Sequence, residues 1–504
     1  MLFWYLMRRH FRSRRLLFFW LVRYYSLDKQ MFSFGRQVKR DLFFLGWMKA
    51  IAMENKELIQ VIKESQHNKI KFAVPDVDGI LRGKTIHKDK FLEVANENIS
   101  FCDVVFGWDS NDKCYDNVQL TGWHTAYPDA KARIDLSTYR TIPWDRELPF
   151  FLADFNNEPG AGRAACPRSL LKRVRQKANE MGFQAVFSEE FEWFNFLGTS
   201  NELAAKNYTE LNPISPGMFG YSMLRPTQFQ AYFNDLFNYL DQFRVNLESM
   251  HTETGPGVYE AAIRYDEVLN AADKAVLFKN SVREIAYKHG IIASFMAKWN
   301  EELPGCSGHL HQSLWDQDQH KNLFYSGMPK APMSQLMESY LAGLLHCLPH
   351  ILPMYAPTIN SYKRLREGAW APVTASWGLD NRTTAVRVIN GQEKSTRLEM
   401  RVPGSDANPY LAMAASLASG LYGIQHELKL STPKTIGNEY AQNDRERLPS
   451  NLMDATRKMK DSALANSLFG DAFVSHFAAT REWEWREFSR AVTDWEIKRY
   501  FEII

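Results

Sequence analysis

The stretch SEEFEWFNF, residues 188–196, alternates acidic and aromatic side chains with a period of two. Successive side chains of a β-strand point to opposite faces, so this pattern predicts a strand with Glu190 and Glu192 on one face and aromatic rings on the other. Two carboxylates that point inward repel each other unless a cation lies between them. A strand whose acidic face meets water is the alternative, and from this stretch alone it is the favoured interpretation.

Two further pairs of polar residues have the same spacing, with one residue between their members. His309 and His311 lie in GHLHQSL, where Ser313 continues the same predicted strand face, and Glu399 and Arg401 lie in RLEMR. Carboxylates and imidazoles suit divalent ions bound with phosphate, and arginine suits anionic oxygens. The three pairs together indicate one site for metal, nucleotide and carboxylate, although strand histidines taken alone are more often structural.

An acidic turn and an arginine-rich region extend this hypothesis. Glu253 and Glu260 flank a Gly-Pro-Gly turn in HTETGPGVYE, which can bring both carboxylates to a shared ion, and a charged hairpin loop is the alternative. Arginine presents a fixed fork of donors that suits phosphate and carboxylate, whereas surface arginines paired with nearby acids are the simpler explanation. The arginines in question are Arg364, Arg382, Arg387, Arg397 and Arg401. The sequence contains neither a P-loop motif nor a GxGxxG motif after a strand.

The composition is that of an ordinary enzyme. Hydrophobic residues make up 45% of the 504 residues and charged residues 24%, and the formal net charge of +3 gives no reason to propose a nucleic-acid partner. The length exceeds one typical core and predicts two or more domains. The five cysteines lie far apart without CxxC spacing, which predicts free thiols in a reducing compartment and hence a cytoplasmic protein.

Residues 1–55 differ from the rest of the chain in being basic and aromatic. Residues 1–50 contain eleven Lys or Arg and two Asp, and the longest unbroken apolar run, 16–22, is far shorter than a membrane span of roughly 20 residues. We expect an extension that is not part of the fold. The alternative is an amphipathic segment that contacts an anionic membrane or directs import into an organelle.

The remaining chain predicts a β-rich domain over residues 56–160 and a larger domain over residues 161–504. Residues 68–90 predict two strands around an Asp-Gly turn, and a helix is expected from Pro167 to Gly182. Further strand-like pieces occupy 103–108, 132–135 and 150–155, and further helical patterns occupy 226–243, 265–289, 333–348 and 409–428. Helices and strands alternate irregularly, which predicts an α+β fold and not a Rossmann or TIM-barrel pattern.

Taken in chain order, the motifs EFEWF, GHLHQSL, NSYKR, NRTTAVR and RLEMRVPGSDANPYL, together with the acidic turn, resemble the glutamine synthetase family over residues 57–504. The chain is most similar to the type I and related branch that joins glutamate to amines, and to the lens protein lengsin. The resemblance implies a small β-grasp-like N-terminal domain and a large catalytic domain with a curved antiparallel sheet.

The resemblance also implies roles for individual residues. Two or more Mg²⁺ or Mn²⁺ ions are implied, one held by Glu192, Glu253 and Glu260 and a second held by Glu190, His309 and Glu399. The residues that would face ATP are His311, Ser313 and Arg397. The residues that would contact glutamate are Arg364, Arg401 and Gly305. The arginines that would contact the transferring phosphoryl group are Arg382 and Arg387.

The implied reaction has two steps, and one residue bears on the second. ATP phosphorylates the γ-carboxylate of glutamate, and an amine then attacks the γ-glutamyl phosphate and releases phosphate. Trp370 stands where ammonia-using members carry a glutamate that binds ammonium. We therefore expect an organic amine such as an alkylamine, ethanolamine or a polyamine, with ammonia as the alternative. Pro304 replaces a common glutamate-contacting asparagine and leaves open a different acid substrate.

The resemblance further implies a homo-oligomer, a dodecamer of two hexameric rings. A catalytically silent structural protein, like lengsin, is the competing class. Silent members lose metal-binding carboxylates and arginines, whereas this chain retains ligating chemistry at all six metal positions. We therefore expect an active ligase.

Overall fold

The computed structural model describes residues 55–155, 160–328 and 331–504. The chain groups into two units, Met1–Val61 and Ile62–Ile504. The extension predicted over residues 1–55 lies outside the described residues, apart from Asn55, at which helix α1 (Asn55–Glu64) begins. The predicted domain boundary between residues 160 and 161 stays a prediction, because both sides of it belong to the second unit.

A five-stranded sheet occupies the N-terminal part of the second unit. Its strands are β1 (Lys69–Pro75), β2 (Leu81–His87), β3 (Ile99–Cys102), β4 (Asp129–Ile142) and β5 (Leu148–Asp154), in the order β2-β1-β5-β4-β3. Strand β1 is parallel to β5, and the other pairs are antiparallel. The predicted hairpin at 68–90 is confirmed, because Asp76 closes the turn by accepting the backbone N–H groups of Asp78 and Ile80.

The strand predicted at residues 103–108 is wrong. Residues Asp103–Phe106 form a short 3₁₀ helix. Its residues do not alternate between core and solvent, because Val105 and the adjacent Phe106 are both buried. The carboxylate of Asp103 accepts the hydroxyl of Thr121 at 2.7 Å, which satisfies a buried charge that an extended strand would not have placed there.

A nine-stranded, predominantly antiparallel curved sheet dominates the rest of the unit and confirms the predicted α+β fold. Its strands are β6 (Phe183–Leu197), β7 (Leu247–Thr252), β8 (Val258–Ile263), β9 (Asp266–Glu267), β10 (Ile291–Ser294), β11 (Gly308–Asp316), β12 (Trp377–Leu379), β13 (Val386–Ile389) and β14 (Arg397–Met400). The main order is β12-β13-β14-β11-β6-β8-β7, and β9 and β10 also pair with β6. The long strand β6 therefore has four neighbours and sets the register of the sheet.

Helices follow and interleave with these strands, and each of the five helical segments predicted from the sequence overlaps at least one of them. They are α2 (Lys88–Val94), α3 (Ala161–Ala165), α4 (Pro167–Glu180), α5 (Ser200–Ala205), α6 (Arg225–Gln228), α7 (Gln230–Gln242), α8 (Val268–Lys288), α9 (Gln335–Ile351), α10 (Ser361–Arg364), α11 (Pro409–Gln425), α12 (Leu452–Lys460), α13 (Ala463–Phe469), α14 (Asp471–Arg490) and α15 (Asp494–Tyr500). Within the described ranges, none of these helices is long and apolar enough to cross a membrane.

The aromatic face of β6 packs against helix α8. Phe191 stacks on Phe278 with ring centroids 5.7 Å apart, and Trp193 meets the same ring edge-on. Both β6 aromatics are fully buried. Because residues i and i+2 share a face, this packing turns Glu190 and Glu192 to the opposite side of the sheet.

A buried arginine joins the two sheets. Arg168 on α4 is 1% exposed and donates to both carboxylate oxygens of Asp273 on α8 at 2.8 and 2.9 Å. It also binds Asp154 on β5 at 2.5 Å and Asp135 on β4 at 2.9 Å. One cation thus binds acids from both parts of the unit. Because Lys172 also binds Asp135 and Asp154, removing Arg168 would chiefly leave Asp273 buried without its ion pair.

Candidate active site

A cavity of about 1110 Å³ opens on the polar face of β6. Its lining comes from β6, β7, β8, β11 and β14 and from two loops, residues 298–307 and 366–370. Every site residue predicted from the sequence lines this cavity except Arg364. The sheet therefore collects into one place side chains that lie more than two hundred residues apart in sequence.

The register of the strands explains this convergence. Residues opposite each other on antiparallel strands point to the same face, so polar residues form rows across the sheet. Three such rows are present: Glu192, Glu260 and His251; Glu190 and His309; and His311, Glu399 and Arg387. All of these side chains line the cavity.

Carboxylates and imidazoles in these rows come close enough to share cations. Three groups have ligand atoms within 4.8 Å of one another: Glu190, His311 and Glu399; Glu190, Glu260 and His309; and His251, Glu253 and Glu260. Such sets of oxygen and imidazole ligands fit divalent ions. His309 adds to this fit, since its buried Nε2 has no hydrogen-bond partner among the residues that the structure describes.

The charges of Glu190 and Glu260 also indicate a cation site. Burial, followed by the negative charges of Glu190 and Glu192, raises the pKa of Glu260 to about 11. Burial likewise opposes ionisation of Glu190, but the imidazoles of His309 and His311 lower its pKa below the usual range. Without an ion, a proton on Glu260 reduces the repulsion among the crowded carboxylates. A bound divalent ion can neutralise them instead.

His251 belongs to the site, although the sequence analysis missed it. Its Nε2 lies 3.3 Å from Glu260 and 3.5 Å from Glu253, and its ring stacks on Tyr221 with centroids 4.5 Å apart. The signal was present, because His251 and Glu253 are also separated by one residue. The Gly-Pro-Gly turn that follows Glu253 obscures this spacing in the sequence.

Glu399 is held as a carboxylate between two arginines. It accepts a hydrogen bond from Arg387 Nη1 at 2.7 Å and another from Arg401 Nη1. Burial by itself would raise the pKa of Glu399, but the surrounding positive charges, led by Arg401, lower it to about 2. His309 Nδ1 lies 3.6 Å away. The predicted pair of Glu399 and Arg401 thus faces one cavity, with its members bound to each other.

The hydrogen bonds of His311 define its tautomer. Arg397 Nε donates to His311 Nδ1 at 3.0 Å, so Nδ1 carries no proton. The other ring nitrogen, Nε2, lies 3.1 Å from Glu190 and donates to it. Next along β11, Ser313 Oγ accepts the indole N–H of Trp315 at 3.0 Å. This end of the cavity offers hydroxyl, guanidinium and aromatic groups together.

Glu192 and Arg364 each also bind groups of the protein itself. Glu192 accepts the backbone N–H of Ser307 at 2.7 Å and belongs to none of the three ligand groups found in the described residues. Arg364 is 2% exposed and donates to Ser307 Oγ at 3.2 Å and to the carbonyl of Val402. It lies behind the loop of Gly305, where an added Cβ would come within 2.8 Å of the arginine side chain.

Trp370 lies on an outer wall of the cavity and is 65% exposed. Its backbone adopts a φ of +55°, an unusual value for a residue with a β-carbon. Arg401 Nη2 reaches its carbonyl at 3.5 Å, and Arg401 Nε donates to the carbonyl of Arg382 at 3.0 Å. The Arg382 side chain is exposed and also lines the cavity, as does Pro304.

The fold and the cavity define a class of protein, one with carboxylate, imidazole and guanidinium groups suited to divalent ions and anionic oxygens on the polar face of a curved antiparallel sheet. The model of the family described as "Glutamine synthetase, catalytic domain" matches residues 164–500. The chain therefore belongs to the glutamine synthetase family. Enzymes of this family are ATP-dependent ligases that join glutamate to ammonia or an amine, use divalent metal ions, act on small molecules and form oligomers.

Similar proteins include one named as a glutamine synthetase and one named as a glutamate–amine ligase. Type-1 glutamine synthetase 2 of Dictyostelium discoideum is 50% identical over 450 residues, which cover 89% of this chain and 86% of that protein. Glutamate–isopropylamine ligase of a Pseudomonas species is 35% identical and covers 90% and 99%. A solved complex of GmaS with ADP superposes with a TM-score of 0.76 at 25% identity, covering 88% and 99%.

Proposed function

We propose that this chain phosphorylates the γ-carboxylate of glutamate with ATP and joins the product to a small organic amine. The observation that carries the proposal is Trp370, an exposed indole on the wall of a cavity that is otherwise lined mainly by charged and polar groups. An indole cannot take a proton from ammonium as a carboxylate does. It can pack on an alkyl chain and attract an ammonium group through its π face.

The charge distribution of the cavity suits the phosphorylation step. ATP supplies the phosphoryl group, and bound Mg²⁺ or Mn²⁺ neutralises its charge. We assign one ion to Glu192, Glu253 and Glu260 and a second to Glu190, His309 and Glu399. Arg382 and Arg387 place positive charge beside the transferring phosphoryl oxygens, where a fixed guanidinium favours the transition state. These assignments follow the family resemblance, and they are supported by the position of all these side chains on the wall of one cavity.

The two ends of the cavity carry different protein groups, which complement different substrates. We assign the nucleotide to the end with His311, Ser313 and Arg397, because guanidinium and hydroxyl groups there can donate to phosphate oxygens. We assign glutamate to the end with Arg401 and Gly305. Arg364 acts from behind this loop, since it is buried and bound to Ser307.

The second step needs a nucleophile that reaches the γ-glutamyl carbon in its neutral form. The amine nitrogen attacks the carbonyl carbon of γ-glutamyl phosphate, the C–O bond to phosphate breaks, and the amine proton passes to a base or to phosphate. Exclusion of water favours the amide, because water is the competing nucleophile. Trp370 can cover the reacting carbon on the side from which the amine enters.

We also propose an oligomeric state and a cellular location for this enzyme. The family forms oligomers, and we propose a dodecamer of two hexameric rings. All five cysteines are free thiols in the described structure, which supports a cytoplasmic location.

Ammonia is the second candidate substrate, and the 50% identical relative named as a glutamine synthetase favours it. The test is product mass spectrometry after incubating the full chain with ATP, Mg²⁺ or Mn²⁺, and glutamate. Ammonia, methylamine, isopropylamine, ethanolamine and putrescine compete in one mixture at equal concentration. We expect an alkyl amide to exceed glutamine. Glutamine in large excess over every amide overturns the amine proposal, and no product with any acceptor overturns the ligase.

A further inference from the structure

Tyr440 holds the backbone at Trp370. It does not line the cavity and has no role predicted from the sequence. Tyr440 donates its hydroxyl to the carbonyl of Ala371, the residue after Trp370, at 3.1 Å. Sixty-nine residues separate the two partners in sequence. The contact is therefore tertiary and depends on the fold, not on a local turn.

The backbone at Trp370 needs such support. A φ of +55° is unfavourable for a residue with a β-carbon and persists only where neighbours impose it. Two side chains bind consecutive carbonyls here, Arg401 at Trp370 and Tyr440 at Ala371. The Arg401 contact, at 3.5 Å, is at the limit of a hydrogen bond, whereas the Tyr440 contact, at 3.1 Å, is shorter, although slightly longer than most hydroxyl hydrogen bonds.

Tyr440 is itself firmly placed. The adjacent Glu439 is 1% exposed and accepts hydroxyls from Thr374 and Thr435, each at 2.6 Å. Thr374 lies in the same segment as Trp370, so the carboxylate ties the two segments together a second time. Backbone hydrogen bonds continue the contact, from Leu448 N to Val373 O at 2.9 Å.

The hydroxyl of Tyr440 also keeps its proton. Burial raises the pKa of Tyr440, although the nearby positive charges of Arg401 and Arg364 oppose the increase. The phenol therefore stays protonated at neutral pH and remains a donor to Ala371. Its position between these arginines and the Trp370 backbone links the glutamate end of the cavity to the wall beside it.

We propose that Tyr440 is a positioning residue that keeps Trp370 closed over the amine site, so that an amine and not water reaches γ-glutamyl phosphate. The inference rests on the amine ligase activity proposed above. Without the hydroxyl, the Trp370 backbone loses its stronger anchor and the wall opens. Water oxygen then attacks the γ-carbonyl carbon, the C–O bond to phosphate breaks, and glutamate and inorganic phosphate leave without an amide.

The experiment compares Tyr440→Phe in the full chain with Tyr232→Phe. Tyr232 on α7 is a matched control, because its buried hydroxyl also donates one hydrogen bond, to Asn195 at 3.0 Å, and it does not line the cavity. Isopropylamine and ammonia are the acceptors. Inorganic phosphate and amide are measured in the same reactions, and KM is determined for ATP, glutamate and acceptor.

We expect Tyr440→Phe to raise the KM for isopropylamine by about fivefold, the loss that corresponds to one ordinary hydrogen bond. The ratio of phosphate to amide should rise by a similar factor, with the KM for ATP unchanged. In a Trp370→Ala background, adding Tyr440→Phe should change neither quantity by more than twofold, since the two residues act through one wall.

Two results overturn the inference. The first is a Tyr440→Phe enzyme that matches Tyr232→Phe in both the phosphate-to-amide ratio and the KM for amine. The second is an effect of Tyr440→Phe that is equally large with and without Trp370. The wild-type reaction reports separately on the proposed function: glutamine as the dominant product refutes the amine substrate whatever the variants do. A wild type that ligates isopropylamine together with an unaffected Tyr440→Phe refutes only the positioning role.

Discussion

Replacement of Trp370 by alanine should reduce use of alkylamines far more than use of ammonia. The indole is 65% exposed in the free enzyme, so truncation removes little folded-state packing and the loss appears in catalysis. Half-burying the three carbons of isopropylamine against the ring contributes about 1 kcal/mol, at ~0.8 kcal/mol per fully buried methylene. An exposed cation–π contact adds about 0.5–1 kcal/mol.

These contributions sum to about 1.5–2 kcal/mol, which corresponds to a fall of about 10–30-fold in kcat/KM for isopropylamine. Ammonia has no carbon to pack and can lose only the cation–π contribution, so its kcat/KM should fall by about fivefold or less. Initial rates of amide formation, followed by liquid chromatography with mass detection, measure both. Trp123→Ala is the control, because that indole is 78% exposed and does not line the cavity.

The reasoning is refuted if Trp370→Ala lowers the two kcat/KM values by the same factor. It is also refuted if isopropylamine use stays within twofold of the wild type. A drop in thermal stability larger than that of Trp123→Ala would show that the indole is structural, and would contradict the small packing contribution that its exposure indicates.

Arg168→Met should lower the free energy of unfolding by about 3–5 kcal/mol in urea titrations, because the buried Asp273 loses its ion pair, whereas Asp135 and Asp154 keep Lys172. His476 on α14 is buried, and burial lowers its pKa to about 4. Its folded-state pKa lies below the unfolded value of about 6.5, so its contribution to stability is complete above pH 6.5 and is lost as the pH falls towards 4, by at most about 3 kcal/mol. His476→Leu should flatten that decline in thermal melts. Glu399→Gln should abolish the rise in melting temperature that Mn²⁺ produces, whereas Glu301→Gln, exposed on the same cavity, should retain it.

Each of these outcomes can be contradicted directly. A loss below about 1 kcal/mol for Arg168→Met would show that the buried acids find other partners or take up protons. An unchanged acid decline in His476→Leu would assign that sensitivity to other groups. Equal Mn²⁺ responses in the Glu399 and Glu301 variants would exclude Glu399 from ion binding.

The strand spacing in the sequence correctly predicted which side chains of β6 and β11 line the cavity. The alternation around Glu190 and Glu192 reflects a strand with one buried and one polar face, a local property that the sequence carries directly. The same holds for His309 and His311 on β11. Their convergence in space could be proposed only from the order of the motifs, because strand pairing depends on contacts between distant segments.

The partners of individual side chains could not be predicted. Nothing in the sequence places the Ser307 backbone N–H on Glu192, or turns Arg364 behind the loop of Gly305. These contacts depend on the path of a loop, which periodicity does not describe. The positive φ of Trp370 is likewise imposed from outside its own segment. The short helix at Asp103–Phe106 shows the same effect, since burial of adjacent residues overrode a strand-like composition.

The long strand β6 makes the chemistry of this enzyme intolerant of insertions. It pairs with β8, β9, β10 and β11, so adding or deleting one residue within Phe183–Leu197 would exchange its two faces. Phe191 would then face the cations and Glu190 the aromatic core. The acceptor preference proposed for Trp370 is free of that constraint, because Trp370 lies on a loop outside the sheet. On that proposal, relatives with new nitrogen substrates arise by changes in the loop that leave the strands of the cavity untouched.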